Sequence, residues 1–277
     1  MSVSAGTTAS RPGTITITIA CQHFMRRFYF FPRAFVPLCF LLLSALPCVQ
    51  AQITDPKATE VWQPEPRIVT SGTGTQPPSD AIILFDGKNL DEWMSVKDST
   101  AAKWDVDVAE GAFTVKPGTG DIMTKRPLGD CQLHLEFRTP ALVKGEGQSR
   151  GNSGVWLQSR YEIQVLDCYS NRTYSNGQTG AVYKQSIPLA NVCRKPGEWQ
   201  TYDILYTAPR FNADGIRLVP GFVTVLHNGV VIQMHTEIQG NTLFIGLPKN
   251  EAHGNAPLRL QDHGDLVSFR NIWVREL

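Results

Sequence analysis

The chain has 277 residues, and 42% of them are hydrophobic, so it can bury the core of one large domain or two small ones. It carries 26 basic and 25 acidic residues, for a formal net charge of +1. This balance, in which no basic block stands out, argues against nucleic acid as a partner.

The N-terminal region, residues 1–51, has the features of an export signal. Three arginines precede an apolar run over residues 34–46, and small residues follow up to Ala51, where cleavage is expected. The run is too short for a good membrane span. Met25 is an alternative start of the chain. We therefore expect a periplasmic or secreted protein with no membrane span after cleavage.

Residues 52–80 are rich in Pro, Thr and Gly, which predicts a linker that contributes little to a core. The folded domain is predicted over residues 81–277. Its short β-like runs are separated by turn residues, and long helical periodicity is missing. The dipeptide Asn228-Gly229 between β-branched runs predicts a type I′ hairpin. So many antiparallel strands in a single domain predict an all-β, two-sheet jelly-roll sandwich.

Three cysteines follow the predicted signal: Cys131, Cys168 and Cys193. An odd number excludes complete pairing. In an oxidising compartment Cys168 and Cys193 are the favoured pair, because both lie in the same loop-rich region, and three unpaired thiols are the alternative. A zinc site built on cysteines is not expected, because the sequence has no C-x-x-C spacing.

Two neighbouring strands in the stretch GVWLQSRYEIQVLD determine where its polar groups point. The apolar residues that belong in the core are Val155, Leu157, Ile163 and Val165. Alternation then places four others on the opposite face: Trp156, Gln158, Glu162 and Gln164. Both sets align only if the connection has an odd number of residues. A three-residue loop over residues 159–161 pairs Gln158 with Glu162 and Trp156 with Gln164.

Asp167 breaks this alternation, and we predict a bulge near residues 165–166 that turns it back to the polar face. The spacing Glu162-x-Gln164-x-x-Asp167 resembles the E-x-D-x-x-E motif of laminarinase- and lichenase-type glucanases, which are concanavalin A-like sandwiches. Here an amide replaces the central acid and a shorter Asp replaces the last Glu. Because a retaining mechanism needs two carboxyl groups about 5 Å apart, this substitution points to different chemistry.

Several segments together resemble the 3-keto-disaccharide hydrolase domain family within the concanavalin A-like superfamily: LFDGKNLDEW, GNSGVWLQSRYEIQVLDCY, KPGEWQTYDI, APRF, TVLHNGVVI and LQDHGDLVSFRNIWVREL. They span residues 84–277. The resemblance implies a concanavalin-like sandwich, export, and action on glycosides already oxidised at C3 of the sugar by a partner 3-dehydrogenase.

A carbonyl at C3 makes the C2 hydrogen acidic. One base can remove that proton to give an enolate, and the group at C1 then leaves by elimination, after which water can add for net hydrolysis. Such a site needs a base, a group that stabilises the enolate oxygen and an acid for the leaving group.

The candidate catalytic residues are Glu162, Asp167 and His263. Glu162 is the first choice for the base, or else a carboxylate that only binds sugar hydroxyls. Asp167 is a base, a metal ligand or a turn cap. His263 follows Asp262 at a strand end, and this pair suits acid–base work, one metal ligand or a structural role.

The candidate binding residues include Arg150 and Asn152, which lie in the glycine-rich loop GQSRGNSG. Arg150 is a candidate to stabilise the enolate or else to cap a loop carbonyl. Trp156 is a candidate to stack on a sugar ring or else a partly buried residue at the sheet edge, and the amides of Gln158 and Gln164 suit sugar hydroxyls. The full set is Arg150, Asn152, Trp156, Gln158, Gln164 and Asp262. No cofactor is required by this chemistry, although a divalent metal is compatible with it. The alternatives are a lectin-like module without catalysis and a glucanase-like hydrolase.

Overall fold

Alternating apolar and polar residues build fifteen strands in the part of the chain that the computed structural model describes, residues 54–277. The predicted export signal and its cleavage site lie outside these residues. The strands are β1 (Ile82–Phe85), β2 (Trp93–Ser95), β3 (Asp105–Asp107), β4 (Ala112–Thr114), β5 (Ile122–Leu128), β6 (Cys131–Arg138), β7 (Ser153–Leu157), β8 (Tyr161–Val165), β9 (Gln200–Thr207), β10 (Arg210–Phe211), β11 (Arg217–Val219), β12 (Gly221–His227), β13 (Val230–Ile238), β14 (Ala256–Leu260) and β15 (Ser268–Glu276). Three short 3₁₀ turns complete the regular structure of these residues: Pro56–Thr59, Gly147–Ser149 and Ser175–Gly177.

The strands form two main antiparallel sheets. The larger sheet has the order β13-β12-β9-β6-β15-β4-β3, and β1 pairs with the same long strand β15. The smaller sheet has the order β2-β5-β14-β7-β8, while β10 and β11 form a separate ribbon. This arrangement confirms the predicted all-β jelly-roll sandwich.

One hydrophobic core joins the inner faces of the two sheets. The large sheet contributes Phe113, Phe137 and Phe269, and the small sheet contributes Val155, Ile163 and Leu260, all inaccessible to solvent. Burial of each such side chain stabilises the fold by about 1.5–3 kcal/mol. The outer face of the small sheet is therefore free to carry polar groups.

The predicted hairpin is present between β12 and β13. His227 pairs with Val230, so the connection is Asn228-Gly229. Both residues have positive φ, 51° and 79°, as a type I′ turn requires.

The connection between β7 and β8 has the predicted odd length but lies one residue earlier than predicted. Leu157 pairs with Tyr161, so the loop is residues 158–160, and Trp156 is opposite Glu162. The predicted pairs of Gln158 with Glu162 and of Trp156 with Gln164 are therefore wrong. The reason is local backbone conformation: Gln158 has a φ of 49°, in the left-handed region, and leaves the strand.

None of residues 54–80 is buried. Part of the predicted linker nevertheless contacts the large sheet. The Thr75 carbonyl accepts hydrogen bonds from Asn271 Nδ2 at 2.9 Å and Trp273 Nε1 at 3.2 Å, and Thr75 Oγ1 donates to Glu136 Oε1 at 3.1 Å. No helix within residues 54–277 is long and apolar enough to cross a membrane.

The three cysteines after the predicted signal are free thiols. Cys168 and Cys193 are in hydrogen-bonding contact, and the bond from the Cys193 thiol lowers the pKa of Cys168 to about 7. Burial instead raises the pKa of Cys131 to about 12. The thiolate needed for oxidation therefore forms far more readily at Cys168 than at Cys131.

Exposure of the protein to oxidised glutathione is expected to join Cys168 to Cys193 and to leave Cys131 as a thiol, because only the first two sulfur atoms are in contact. Non-reducing peptide mapping measures the linkage, and Cys193→Ser is the control that removes it. A linkage through Cys131, or three free thiols after prolonged oxidation, would contradict this expectation.

Candidate active site

The outer face of the small sheet carries the polar residues of β7 and β8. Trp156 is opposite Glu162, and Gly154 is opposite Gln164. Because side chains alternate along a strand, the buried apolar neighbours of these residues fix this outward direction. The structure thus brings together three of the residues predicted from the sequence: Trp156, Glu162 and Gln164.

Glu162 is the most strongly perturbed carboxyl group of this face. Only 4% of the residue is exposed, and burial raises the pKa of its carboxyl group to about 8. The nearby Arg259 guanidinium opposes this rise, and the Asp121 carboxylate adds to it. A carboxyl group with a pKa near neutrality can both accept and release a proton at physiological pH.

The side-chain amide of Gln164 contacts the Glu162 carboxyl group. It lies 3.1 Å from Glu162 Oε1 and 2.9 Å from the Ser153 carbonyl oxygen, and with its NH₂ group toward these two acceptors it donates to both. In the opposite orientation of the amide, Gln164 Nε2 donates to Gln148 Oε1 at 3.0 Å instead. The orientation that faces Glu162 holds its carboxyl group in one place.

Gly154 provides the space that the Glu162 carboxyl group occupies. A Cβ atom at this position would lie 2.6 Å from Glu162 Oε1 and 2.7 Å from Trp156 Nε1. The absence of a side chain therefore lets the base candidate and the indole lie close to the sheet backbone.

Arg259 lies across the floor of the site on β14. It pairs with Trp156 in the sheet, and its guanidinium carbon is 3.9 Å from the centroid of the Trp156 ring. Arg259 Nη1 is 3.6 Å from Asp121 Oδ2. A partly buried cation stacked on an aromatic ring next to Glu162 is well placed to stabilise negative charge on a ligand.

Three buried polar atoms of this face make no hydrogen bond to any described residue: Trp156 Nε1, Arg259 Nε and Gln261 Oε1. Gln261 N donates to the Gly154 carbonyl, so Gln261 continues β14 on the same face as Arg259. Buried polar groups are paired in most folded proteins, so a cluster without partners indicates a surface that binds a polar ligand.

Tyr183 extends the same face beyond the edge of β8. Val182 bridges to Ile163, and Tyr183 N donates to the Glu162 carbonyl at 3.0 Å, which makes Tyr183 the cross-strand neighbour of Glu162. Burial raises the pKa of the Tyr183 hydroxyl, and its hydrogen bond with Tyr174 and the charge of Glu162 act in the same direction. Tyr183 is therefore a neutral hydrogen-bond donor beside the base candidate.

Asn152 and Gln148 shape the glycine-rich loop before β7. Asn152 Nδ2 donates to the Gln148 carbonyl at 2.7 Å, and Gln148 Nε2 donates to the Gly177 carbonyl at 2.8 Å. Asn152 thus positions the Gln148 amide, which in turn contacts Gln164. The predicted contact of Asn152 with a ligand stays a prediction, and in this structure its Nδ2 group makes an internal hydrogen bond.

Asp167 and Arg150 pair with each other. Arg150 Nε donates to Asp167 Oδ2 at 2.7 Å, and Tyr169 N donates to Asp167 Oδ1 at 3.0 Å. The predicted bulge is absent from the β7–β8 pairing, which is regular through Val165. Both carboxylate oxygens of Asp167 thus cap the loop after β8, and Arg150 also donates to the Tyr169 carbonyl at 2.9 Å.

Gln158 is buried inside the protein. Its Nε2 donates to the Leu128 carbonyl at 2.9 Å, and its Oε1 accepts from the Tyr206 hydroxyl at 2.8 Å. Both ends of the amide are therefore occupied by the fold, which follows from the left-handed turn that takes Gln158 off the Glu162 face.

Asp262 and His263 lie beside Asp121. Asp262 Oδ2 accepts from Gly118 N at 2.8 Å and Gly120 N at 3.0 Å, and Asp262 N donates to Asp121 Oδ1 at 2.9 Å. Burial raises the pKa of Asp121, against smaller lowering effects that include the charge of His263. Asp262 thus positions the loop that carries Asp121, and the exposed His263 lies at the border of the site.

No group of three or more His, Cys, Asp or Glu side chains in residues 54–277 is arranged to hold a metal ion. The site instead combines one buried carboxyl group, one partly buried guanidinium, several amides and a tyrosine, with Asp121 as a second acid beside them. Its residues are Glu162, Arg259, Gln148, Gln164, Gln261, Tyr183 and Asp121. Sequence reasoning missed Arg259, although its position between Leu258 and Leu260 predicts the outer face. Tyr183 lies in a long loop without periodicity and gave no signal.

Comparison with known proteins agrees with this description. Residues 80–275 match the model of a family described as the 3-keto-alpha-glucoside-1,2-lyase-like domain. A crystal structure from Parabacteroides distasonis ATCC 8503, described as a "putative glycosyl hydrolase", is 55% identical, with a TM-score of 0.77 over 80% of this chain and 97% of that chain.

Two further structures from the same organism carry the same description. One is 25% identical, with a TM-score of 0.50 over 71% of this chain and 99% of that chain. The other is 20% identical, with a TM-score of 0.52 over 72% of this chain and 94% of that chain, and shows the fold alone. A comparison with curated proteins gives no match.

The fold and the relatives define a glycosyl hydrolase-like, carbohydrate-active domain. The chain belongs to the 3-keto-alpha-glucoside-1,2-lyase-like domain family.

The Glu162 carboxyl group is expected to titrate near pH 8, and two substitutions should move it in opposite directions. Asp121→Asn removes a negative charge and lowers the pKa of Glu162, whereas Arg259→Gln removes a positive charge and raises it. Carbon-13 NMR of glutamate-labelled protein measures the titration, and Glu162→Gln identifies the signal.

The raised pKa of Glu162 also determines the direction in which the stability of the fold changes with pH. The pKa of Glu162 in the folded protein lies above its ordinary value of 4.5. The protonated carboxyl group therefore makes its full contribution to stability below pH 4.5, and this contribution is lost as the pH rises through about 8. Glu162→Gln should remove this dependence. Movement of both charge variants in the same direction would contradict the assigned environment.

Proposed function

We propose that this domain cleaves 3-keto-glycosides, with Glu162 as the base that removes the C2 proton of the oxidised sugar. The observation that carries the proposal is a buried carboxyl group with a raised pKa beside a partly buried guanidinium, on the outer face of the small sheet. Membership in the 3-keto-alpha-glucoside-1,2-lyase-like family supports the choice of substrate.

The environment of Glu162 suits abstraction of a proton from carbon. A base works best when its pKa is close to the working pH, since it is then ionised often enough and still binds a proton strongly. Burial raises the pKa of Glu162 into this range, and Gln164 and Gly154 fix the position of the carboxyl group. The carboxyl group is therefore held in a defined position on this face.

Arg259 would stabilise the enolate. When Glu162 takes the C2 proton, the electron pair of the C2–H bond delocalises onto the C3 oxygen, and the guanidinium supplies positive charge without rearrangement because Trp156 supports it from below. The unpaired polar atoms of Trp156 and Gln261 then serve sugar hydroxyl groups.

The enolate collapses by elimination. Its electron pair forms a C1–C2 double bond, the C1–O bond breaks, and the departing oxygen leaves with the bond electrons and takes up a proton. The products are an unsaturated keto-sugar and a free alcohol. Addition of water to the unsaturated product gives the same overall result as hydrolysis.

The surroundings of Asp167 argue against a glucanase-type mechanism. In the glucanase-like spacing this residue would supply the second carboxyl group, but its oxygens are bonded to Arg150 and to the Tyr169 amide. Elimination needs a single carboxylate base, whereas a retaining glycosidase needs a pair at about 5 Å.

The proposal also defines a place in a reaction sequence. A dehydrogenase that oxidises the C3 hydroxyl of a glycoside must act first, because an unoxidised sugar has no acidic C2 hydrogen. We propose that the domain acts after export, outside the cytoplasm.

Glu162→Gln should lower kcat on a 3-keto-disaccharide such as 3-keto-trehalose by about two to four orders of magnitude, the usual contribution of a general base. For the wild-type protein, kcat/KM should rise with pH up to about 8 as Glu162 loses its proton. Release of reducing sugar measures the rate.

Unoxidised trehalose is the control substrate and should remain intact. In D₂O the hydrated sugar should carry deuterium at C2. Turnover of trehalose itself, or hydrolysis without deuterium at C2, would exclude elimination in favour of direct displacement at C1. Binding of the keto-sugar without turnover would indicate a lectin-like module.

Gly154→Ala should abolish most of this turnover while the fold is retained. The new Cβ atom displaces the flexible end of Glu162 and the Trp156 indole, so the base moves but the backbone does not. Gly254→Ala is the matched control, because a Cβ atom there contacts nothing within 4 Å. Kinetics and thermal unfolding of both variants test the expectation, and equal activity of the two would contradict the position assigned to Glu162.

A further inference from the structure

Two tyrosine hydroxyl groups form a short path from solvent to the Glu162 face. The hydroxyl oxygens of Tyr183 and Tyr174 are 2.5 Å apart. Tyr183 is 8% exposed and is the cross-strand neighbour of Glu162, whereas Tyr174 is 40% exposed. One hydroxyl therefore lies within the site and the other at its surface.

A positive charge accompanies this pair. Lys184 Nζ is 5.7 Å from the ring centroid of Tyr174 and 5.7 Å from that of Tyr183. Lys184 is held there because its ammonium group donates to the Phe244 carbonyl and lies 4.3 Å from the Phe244 ring centroid. A cation within 6 Å of both ring centroids is attracted to the two aromatic faces and helps to hold the two tyrosines side by side.

The proposed elimination leaves one proton to be supplied. Glu162 holds the proton from C2, so it is in its acid form when the C1–O bond breaks, and its position is fixed toward C2. The departing oxygen of an alcohol is a strong base and needs a separate donor on the same face. Tyr183 is the neutral hydroxyl donor next to Glu162.

We propose that Tyr183 donates its proton to the departing oxygen and that Tyr174 replaces it from solvent. This inference rests on the proposed function. As the C1–O bond breaks, its electrons take the Tyr183 proton, the Tyr183 oxygen takes the Tyr174 proton, and Tyr174 regains a proton from water. The C2 proton on Glu162 returns to solvent, so the enzyme ends in its starting state. Tyr183 is thus a catalytic acid, and Tyr174 connects it to solvent.

The test compares two departing groups on the same keto-sugar. The 3-keto form of trehalose releases a sugar alkoxide, which needs a proton, whereas the 3-keto form of 4-nitrophenyl glucoside releases a stable phenolate, which does not. Tyr183→Phe should lower kcat/KM on the disaccharide by about 10²–10⁴-fold and on the nitrophenyl substrate by less than about 10-fold. Tyr174→Phe should show the same preference with a smaller loss.

Controls separate this role from the others. Tyr161→Phe removes a different buried hydroxyl, which contacts His253 Nε2 at 2.6 Å, and should affect both substrates equally. Glu162→Gln should be slow on both. Equal losses on both substrates in Tyr183→Phe overturn the acid role while the proposed function stands. If Tyr183→Phe does not fold, Tyr174→Phe decides by the same ratio. A wild-type protein inactive on both keto-substrates overturns the proposed function and this assignment together.

Discussion

The in-register pairing of β7 with β8 is the constraint on which the site depends. Successive side chains of a strand point to opposite faces of the sheet. A shift of the β7–β8 register by one residue would therefore turn Glu162 into the core and Ile163 out of it. The three-residue turn at 158–160 sets this register, and two left-handed residues in it allow so tight a connection. The core residues then hold the register, because they fill the space between the sheets. The register of β7 with β8 thus determines both the packing of the core and the direction of the polar side chains.

Burying Glu162 costs stability, and the surroundings offset only part of the cost. An ionised carboxylate removed from water is unfavourable unless it is paired, and Arg259 is shared between Glu162 and Asp121. The consequence is a group that takes up a proton more readily than an ordinary glutamate. A protein optimised for stability alone would carry an apolar residue here, so a buried carboxyl group of this kind marks a site where activity and stability conflict.

Sequence reasoning gave the strands, the sandwich and the face of Glu162, because alternation and hydrophobicity determine them together. It failed where geometry depends on backbone states that composition does not signal. Gln158 and Ser159 adopt the left-handed backbone conformation although neither is a glycine. Asp167 lies beyond the end of β8, where its carboxylate accepts a hydrogen bond from the backbone of the following loop. Tyr183 comes from a loop whose path only the folded structure defines. Arg259 differs from these, since the alternation applied to β7 and β8 also predicts its direction on β14.

The loop that forms one wall of the site also covers the free edge of the small sheet. β8 is the last strand of that sheet, and its outer backbone groups are bonded to residues 180–183 and to Thr242 Oγ1, which accepts from Glu162 N at 3.0 Å. An uncovered edge strand invites pairing with other chains. Shortening this loop to admit larger glycosides would therefore expose a surface prone to aggregation. The range of substrates and the solubility of the protein therefore depend on the same loop. Changes that widen the site must keep the edge of β8 covered.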